Sequence, residues 1–425
     1  MTTHTPIVDS KPASSTHLLL TWELGSGYGH IMGFIPLIEA LIPLGVSLSI
    51  IARNTVVAGQ LLADYPVTIY PSPIFIGDQD RLRSATLSYS DIIYDLGFGD
   101  VDELTHTAQA WQNLFALINP DMIIADHSPT AILAARCKRI PSVTFGTGFF
   151  IPPLHQSLPL FQRLADDMNN KVRNKEQQVL HNINTILETH GQQSIDFVSN
   201  LFADSLNLLC TLHETDHYGA YRDPEMNEYI GGRFCTSQGV TQFYPDGKGK
   251  RIFGYLKETA PGFEQIIASL IALTHHSIVH VPKPSAALRE RLADVEHIQL
   301  SAQPVRVDCL LDKTDLIICH AGHGLVSAGL LSGTRMLLIP SQLEQSLLTQ
   351  RLAGQRLVAA INPAQPNVDY IKAIEFALTS SELAQQIEHY VEHYAHIEQS
   401  GSMHRIAQRC LTFLLDTLSQ TSNAN

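Results

Sequence analysis

Short apolar runs alternate with longer amphipathic stretches along most of this chain, the rhythm of strands buried on both faces with helices between them. His17 to Glu23 reads as a strand, followed by the loop Gly25-Ser26-Gly27-Tyr28-Gly29-His30. A helical period runs from Gly33 to Leu44, Gly45 stops it, and Val46 to Ala52 is a second strand. Val67 to Pro71 and a Pro/Gly-containing stretch to Asp80 predict a short strand and a loop, and Leu104 to Leu117 a helix. Asp121 to Ala125 predicts a buried strand with Asp126 at its carboxyl end; Ser128-Pro129 reads as an N-cap and first helical position opening a helix to Cys137, and Pro141 to Phe145 as the next strand.

Residues 150 to 200, with Pro152-Pro153 and an amphipathic segment over Val179 to Leu187, predict a helical insertion, and Leu206 to Leu212 another apolar run. Gly231 to Lys250 is rich in Gly, Pro and polar residues and reads as an interdomain linker. Beyond it the rhythm restarts. Arg251 to Leu256, Ser277 to Val281, His297 to Leu300, Asp315 to Cys319 and Met336 to Ile339 read as strands, with helices at Gly262 to Leu273, Ser285 to Leu292 and Val305 to Leu311. The pattern predicts an α/β chain of two Rossmann-like, doubly wound domains: 16–235, a linker at 236–250, 251–400, and a last helix at 401–425.

Composition narrows the function classes. The chain has 425 residues, 44% of them hydrophobic and 16% charged, enough for two cores that face each other across a cleft. A net charge of −13, with no basic run carrying interleaved aromatics, argues against nucleic acid and anionic membrane surfaces as partners. Neither a signal-like N-terminus nor a membrane-spanning apolar run is present, which gives a cytoplasmic expectation. Cys137, Cys210, Cys235, Cys309, Cys319 and Cys410 are scattered, without a CxxC pair, as expected of buried free thiols in a reducing compartment.

Chemistry concentrates where Asp315-Leu316-Ile317-Ile318 runs into Cys319-His320-Ala321-Gly322-His323-Gly324-Leu325. Glycines let a backbone approach an anion, and the N–H groups of a first helical turn together with the helix dipole attract phosphate. The passage continues through a second strand to Pro340 and Ser341-Gln342-Leu343-Glu344-Gln345, so two loops open on one side. Two other patterns fail on inspection. The loop Gly25 to His30 approximates a dinucleotide fingerprint, but His30 replaces the third glycine and Ala52-Arg53-Asn54 lacks the acid that grips a ribose. His213-Glu214-Thr215-Asp216-His217 matches the H-E-x-x-H zinc pattern, yet Gly219 and Pro224 follow too closely for the helix that pattern requires.

Three motifs in order, between Leu18 and Val358, make the sequence similar to bacterial family 1 glycosyltransferases of the GT-B fold. His320-Ala321-Gly322-His323-Gly324 through Pro340 and Glu344-Gln345 resembles the family's donor signature, Gly27-Tyr28-Gly29-His30 with Pro36-Leu37 its Gly-His loop, and Ile123-Ile124-Ala125-Asp126 its strand ending in aspartate. The resemblance implies an inverting transfer without metal or cofactor, from a nucleoside-diphosphate sugar, UDP- or dTDP-linked, to a small-molecule or lipid-like acceptor hydroxyl. His30 would be the general base, with Asp126 fixing its tautomer. Gly29, Gln303, His320, Gly322, His323, Gly324, Leu325, Glu344 and Gln345 would bind the donor, with His320 and the main-chain N–H groups stabilising the departing diphosphate. Phe149, Phe150, Leu154 and Leu160 suggest an apolar acceptor wall. The sequence departs from the pattern at Ala328, where many members carry a ribose-binding glutamate, at Glu344, where aspartate is usual, and in Ser301 to Val305, which lacks a base-stacking tryptophan. The alternatives are a sugar-nucleotide epimerase on the same plan or a noncatalytic nucleotide-sugar-binding protein.

Overall fold

The computed structural model describes residues 16–75, 86–162, 165–223, 225, 229–232, 239–395 and 399–423. Residues 76–80 of the expected loop, Cys235 and residues 236–238 of the expected linker lie outside them. Strands β1 His17–Trp22, β2 Ser47–Ala52, β3 Val67–Pro71, β4 Met122–Asp126, β5 Ser142–Gly146 and β6 Leu206–Leu209 form one sheet in the order β3-β2-β1-β4-β5-β6. A second contains β7 Arg251–Tyr255, β8 His276–His280, β9 Ile298–Ser301, β10 Leu316–Cys319, β11 Arg335–Leu338 and β12 Ala359–Ala360, in the order β12-β11-β10-β7-β8-β9. All ladder pairings are parallel, and each sheet reverses its winding between two neighbours, β1 and β4 in the first, β7 and β10 in the second. Such reversal points open crevices beyond the strand ends.

The strands sort their side chains by parity, as the pleat demands. Leu18, Leu20 and Trp22 of β1 join the core beneath helix Gly29–Leu41, while Leu19 faces the core under helices Val101–Ile118, Pro129–Lys138 and Asp166–Thr189. In β10, Leu316 and Ile318 face one core, Ile317 and Cys319 the other. The last helix, Gln399–Asn423, puts Met403, Ile406, Ala407, Cys410 and Leu414 into the first sheet's core beside helix Gly29–Leu41. Val240 bridges to Val305 of the second domain, its N–H donating to the Pro304 carbonyl at 2.8 Å.

Two local expectations are corrected. Val305 to Leu311 is not a continuous helix: the Val240 bridge, closed by the Arg306 N–H on the Val240 carbonyl at 3.0 Å, holds the backbone extended there, and only short 3-10 turns, Val307–Cys309 and Leu311–Lys313, follow. Ser128 does not cap helix Pro129–Lys138; its hydroxyl donates to the Asp126 carbonyl at 3.1 Å. The cap comes from the end of the neighbouring strand, where the Glu23 carboxylate accepts the N–H groups of Thr130 at 2.9 Å and Ala131 at 3.4 Å.

Burial pushes the Glu23 carboxyl up from 4.5 to about 7, against the lowering effect of the Thr130 and Ala131 bonds and of Arg53. The fold therefore favours the neutral acid, and this contribution is complete below the ordinary carboxyl value and lost as pH rises through about 7. Glu23→Gln removes the ionisation, so its stability relative to wild type should rise by on the order of 3 kcal/mol between about pH 4 and about pH 8. Urea unfolding of both proteins at the two pH values checks this, and a difference independent of pH contradicts it.

Candidate functional site

The first crevice is built on the ends of β1 and β4. Helix Gly29–Leu41 starts directly after the glycine loop, so His30 stands on its first turn facing the carboxyl end of β4. Its Nδ1 lies 2.8 Å from Asp126 Oδ2, and both side chains are buried. Because a carboxylate only accepts, Nδ1 carries a proton, and in the neutral ring that leaves the lone pair on Nε2. The ring is gripped on both sides, stacked on Trp22 at 4.9 Å and tilted against Phe150 at 5.4 Å, while the Trp22 indole donates to the Leu24 carbonyl at 2.8 Å. Nε2 makes no hydrogen bond among the described residues. What keeps it clear is Gly25: at φ +85°, a Cβ there would stand 2.5 Å from Nε2. Gly25 was legible in the sequence only as part of a failed cofactor fingerprint.

His127, which sequence reasoning passed over, follows Asp126 in a left-handed conformation at φ +46°, a strained state for a non-glycine residue. Its carbonyl accepts the Leu24 N–H at 3.0 Å, tying the ends of β4 and β1 together. The ring stacks on Phe150 at 4.4 Å, and burial, with a smaller contribution from neighbouring His30, lowers its pKa to about 3. Both His127 ring nitrogens and the hydroxyls of Tyr89, Thr147 and Tyr218 are buried without a hydrogen-bond partner among the described residues, and the buried His217 ring bonds the Glu344 main chain. Phe149 and Phe161 stack at 5.7 Å among these groups, Phe149 lying 5.3 Å from His217 and Phe161 6.3 Å from Tyr218. Leu154, expected on this wall, is instead exposed, as the bend after Pro152-Pro153 turns it outward.

The second crevice lies at β7 and β10. After Cys319, Ala321 adopts φ +59° and Gly322 takes the N-cap position of helix His323–Leu331, so the first-turn N–H groups of His323, Gly324 and Leu325 have no partner within their helix. A Cβ on Gly322 would meet nothing within 4 Å. His320 does not offer the donor that the sequence suggests. Its Nδ1 donates to the Ile339 carbonyl at 2.9 Å and its Nε2 accepts the Lys257 N–H at 3.0 Å, so both nitrogens join neighbouring strand ends. Burial, more than nearby Lys257, lowers its pKa. Gln345 likewise uses its carbonyl on the Ser341 N–H at 2.9 Å and hydroxyl at 3.0 Å, while Glu344 sits half-buried in the first turn of helix Leu343–Gly354. Gln303 is exposed beyond β9, and Ala328 is buried within its helix.

A clasp joins the two crevices. His323 Nε2 lies 2.9 Å from Thr211 Oγ1, and its ring stacks on His217 at 6.2 Å. Arg351 donates to the carbonyls of Glu214 at 3.0 Å and His213 at 2.8 Å, and the Tyr394 hydroxyl donates to the Glu214 carboxylate at 2.5 Å. The H-E-x-x-H segment is thus a run of turns between domains, with His213 on the Gly219 carbonyl at 3.0 Å rather than sharing a helical face with His217. Among the described residues no cluster of three or more His, Cys, Asp or Glu has metal-site geometry, and no helix is long and apolar enough to cross a membrane.

No family model matches the chain, and no curated protein sequence matches it. Solved structures do. The glycotransferase of kitacinnamycin is 17% identical with a TM-score of 0.68, covering 95% of this chain and 100% of its own. The calicheamicin glycosyltransferase CalG4 is 15% identical with a TM-score of 0.66, over 94% and 98%. The glycosyltransferase VinC, solved in complex with dTDP, is 15% identical with a TM-score of 0.63, over 93% and 100%. The likeness spans both sheets and the helices around them, and the chain therefore has the two-domain GT-B fold that these solved structures share.

Proposed function

We propose that this protein is an inverting glycosyltransferase that moves a hexose-type sugar from a nucleoside-diphosphate sugar to an acceptor hydroxyl, with no metal in the chemical step. The observation that carries this reading is the buried His30–Asp126 pair at 2.8 Å, its free nitrogen facing the β1/β4 crevice, on a fold whose second crevice opens onto a glycine-led helix N-terminus. VinC and the spinosyn rhamnosyltransferase SpnG, similar to this chain in fold, were solved with thymidine diphosphate, which supports a pyrimidine nucleotide as the donor's carrier.

In this scheme His30 Nε2 takes the acceptor's hydroxyl proton as its oxygen forms a bond to the anomeric carbon. The bond from that carbon to the diphosphate breaks on the opposite face, its electron pair leaving with the diphosphate oxygen, so configuration inverts without an enzyme-bound intermediate. Asp126 holds Nδ1–H and stabilises the imidazolium that forms. The N–H groups of His323, Gly324 and Leu325 receive the leaving diphosphate, and Glu344 and Gln345 flank the sugar. Because Gln345 uses its carbonyl within its own loop, its amide N–H groups are the part it offers the sugar. The buried polar groups of Tyr89, His127, Thr147 and Tyr218, set among Phe149, Phe150 and Phe161, suit an uncharged acceptor with an apolar frame and several hydroxyl or carbonyl groups.

His30→Ala should lower transfer by about a thousandfold or more while leaving nucleoside-diphosphate affinity within about threefold of wild type. Product analysis and calorimetric titration in metal-free buffer check the two halves; loss of nucleotide affinity contradicts the role given to His30. Conversion of the donor without any acceptor would identify an epimerase, and binding without turnover a noncatalytic relative. Gly25→Ala should likewise cost turnover, about a hundredfold, with little change in nucleotide binding, since its methyl group would occupy the space beside Nε2. A Gly25→Ala enzyme as active as wild type would remove the glycine from this account.

A further inference from the structure

Departure of a diphosphate places negative charge on an oxygen that the enzyme must stabilise, and in this protein the histidine at the strand end is already committed: His320 gives its N–H to Ile339 and fills its lone pair with the Lys257 N–H. Strands β7 and β10 are paired with Cys319 opposite Tyr255, so Lys257 and Ala321 stand at matched positions, each two residues beyond that pair. The Lys257 main chain is fixed on both sides, its N–H by His320 and its carbonyl by the Ala260 N–H at 3.0 Å, while the side chain is exposed. Its positive charge adds, after burial, to the lowering of the His320 pKa. The adjacent carboxylate is occupied elsewhere, since Glu258 accepts both the N–H and the hydroxyl of Ser285 at the cap of helix Ala286–Leu292. Among the described residues Lys257 has no carboxylate within ion-pair distance.

Resting on the donor-site reading above, we propose that Lys257 is a donor-binding residue whose ammonium pairs with the diphosphate of the nucleotide sugar and with the leaving nucleoside diphosphate, the charge contribution that His320 cannot make. In a chain of net charge −13, a local cation is what makes the crevice attractive to a dianionic ligand. His320 acts as a positioning residue, fixing the Lys257 main chain beside the helix N-terminus through the single bond between Nε2 and that N–H.

The test is calorimetric titration of the full chain in metal-free buffer with uridine, thymidine, guanosine and adenosine diphosphates and the matching monophosphates, at two salt concentrations. For the diphosphate that binds wild type, Lys257→Gln should raise Kd about ten- to hundredfold, by the size of a charge-assisted contact, and weaken the salt dependence. Monophosphate affinity should change far less, and Lys257→Arg should retain most of the diphosphate affinity. Thermal melting of the two variants should match wild type, since the side chain is exposed. Undiminished diphosphate affinity in a folded Lys257→Gln protein overturns the inference while leaving the donor site standing. Absence of binding by wild type to every diphosphate overturns the donor-site reading and this inference together.

Discussion

A parallel sheet covered by helices on both faces can carry chemistry only beyond its strand ends, and a chain that reverses its winding leaves a gap there between neighbouring strands. This constraint organises the protein twice. At β1/β4 the gap holds a histidine–aspartate pair, a strained histidine and a glycine loop; at β7/β10 it holds a helix N-terminus, a committed histidine and an exposed lysine. The remaining architecture keeps these two openings in register, through the 211–222 clasp and through a C-terminal helix that crosses back to the first core.

The two histidines of the openings show how much their surroundings decide. His30, on the first turn of its helix, and His320, directly after β10, are both buried, and each gives Nδ1–H to an oxygen acceptor. They differ at Nε2. In His30 a glycine keeps that nitrogen clear; in His320 a main-chain N–H from the next strand fills it. One ring is thereby suited to take a proton and the other to hold a loop in place. Burial lowers the pKa of two nearby histidines, His127 and His217, to about 3, so neither adds charge to the region beside His30.

The strand rhythm was legible because the central strands of both sheets are buried on both faces and so read as continuous apolar runs, whichever domain they belong to. The His30–Asp126 pairing was legible because each residue ends a recognisable motif. The helix cap was not: Ser128 has the local signature, but Glu23 occupies the position from another strand, and no local pattern reports a partner 107 residues away. The same reason hides the commitment of His320 and the bridge from Val240 that unwinds the expected helix at Val305. The role of Gly25 was concealed by a pattern that suggested a different cofactor, and His127 by the absence of any sequence signature for a left-handed histidine.

The account's central claim is that Asp126 fixes His30 with its proton on Nδ1 and an open lone pair on Nε2. NMR of the protein with isotope-labelled histidine, assigned through His30→Ala and repeated in Asp126→Asn, reads that tautomer directly. The account predicts a neutral His30 protonated at Nδ1 in wild type, with the preference weakened or lost in Asp126→Asn. A His30 ring protonated at Nε2, or a tautomer indifferent to Asp126, would contradict it.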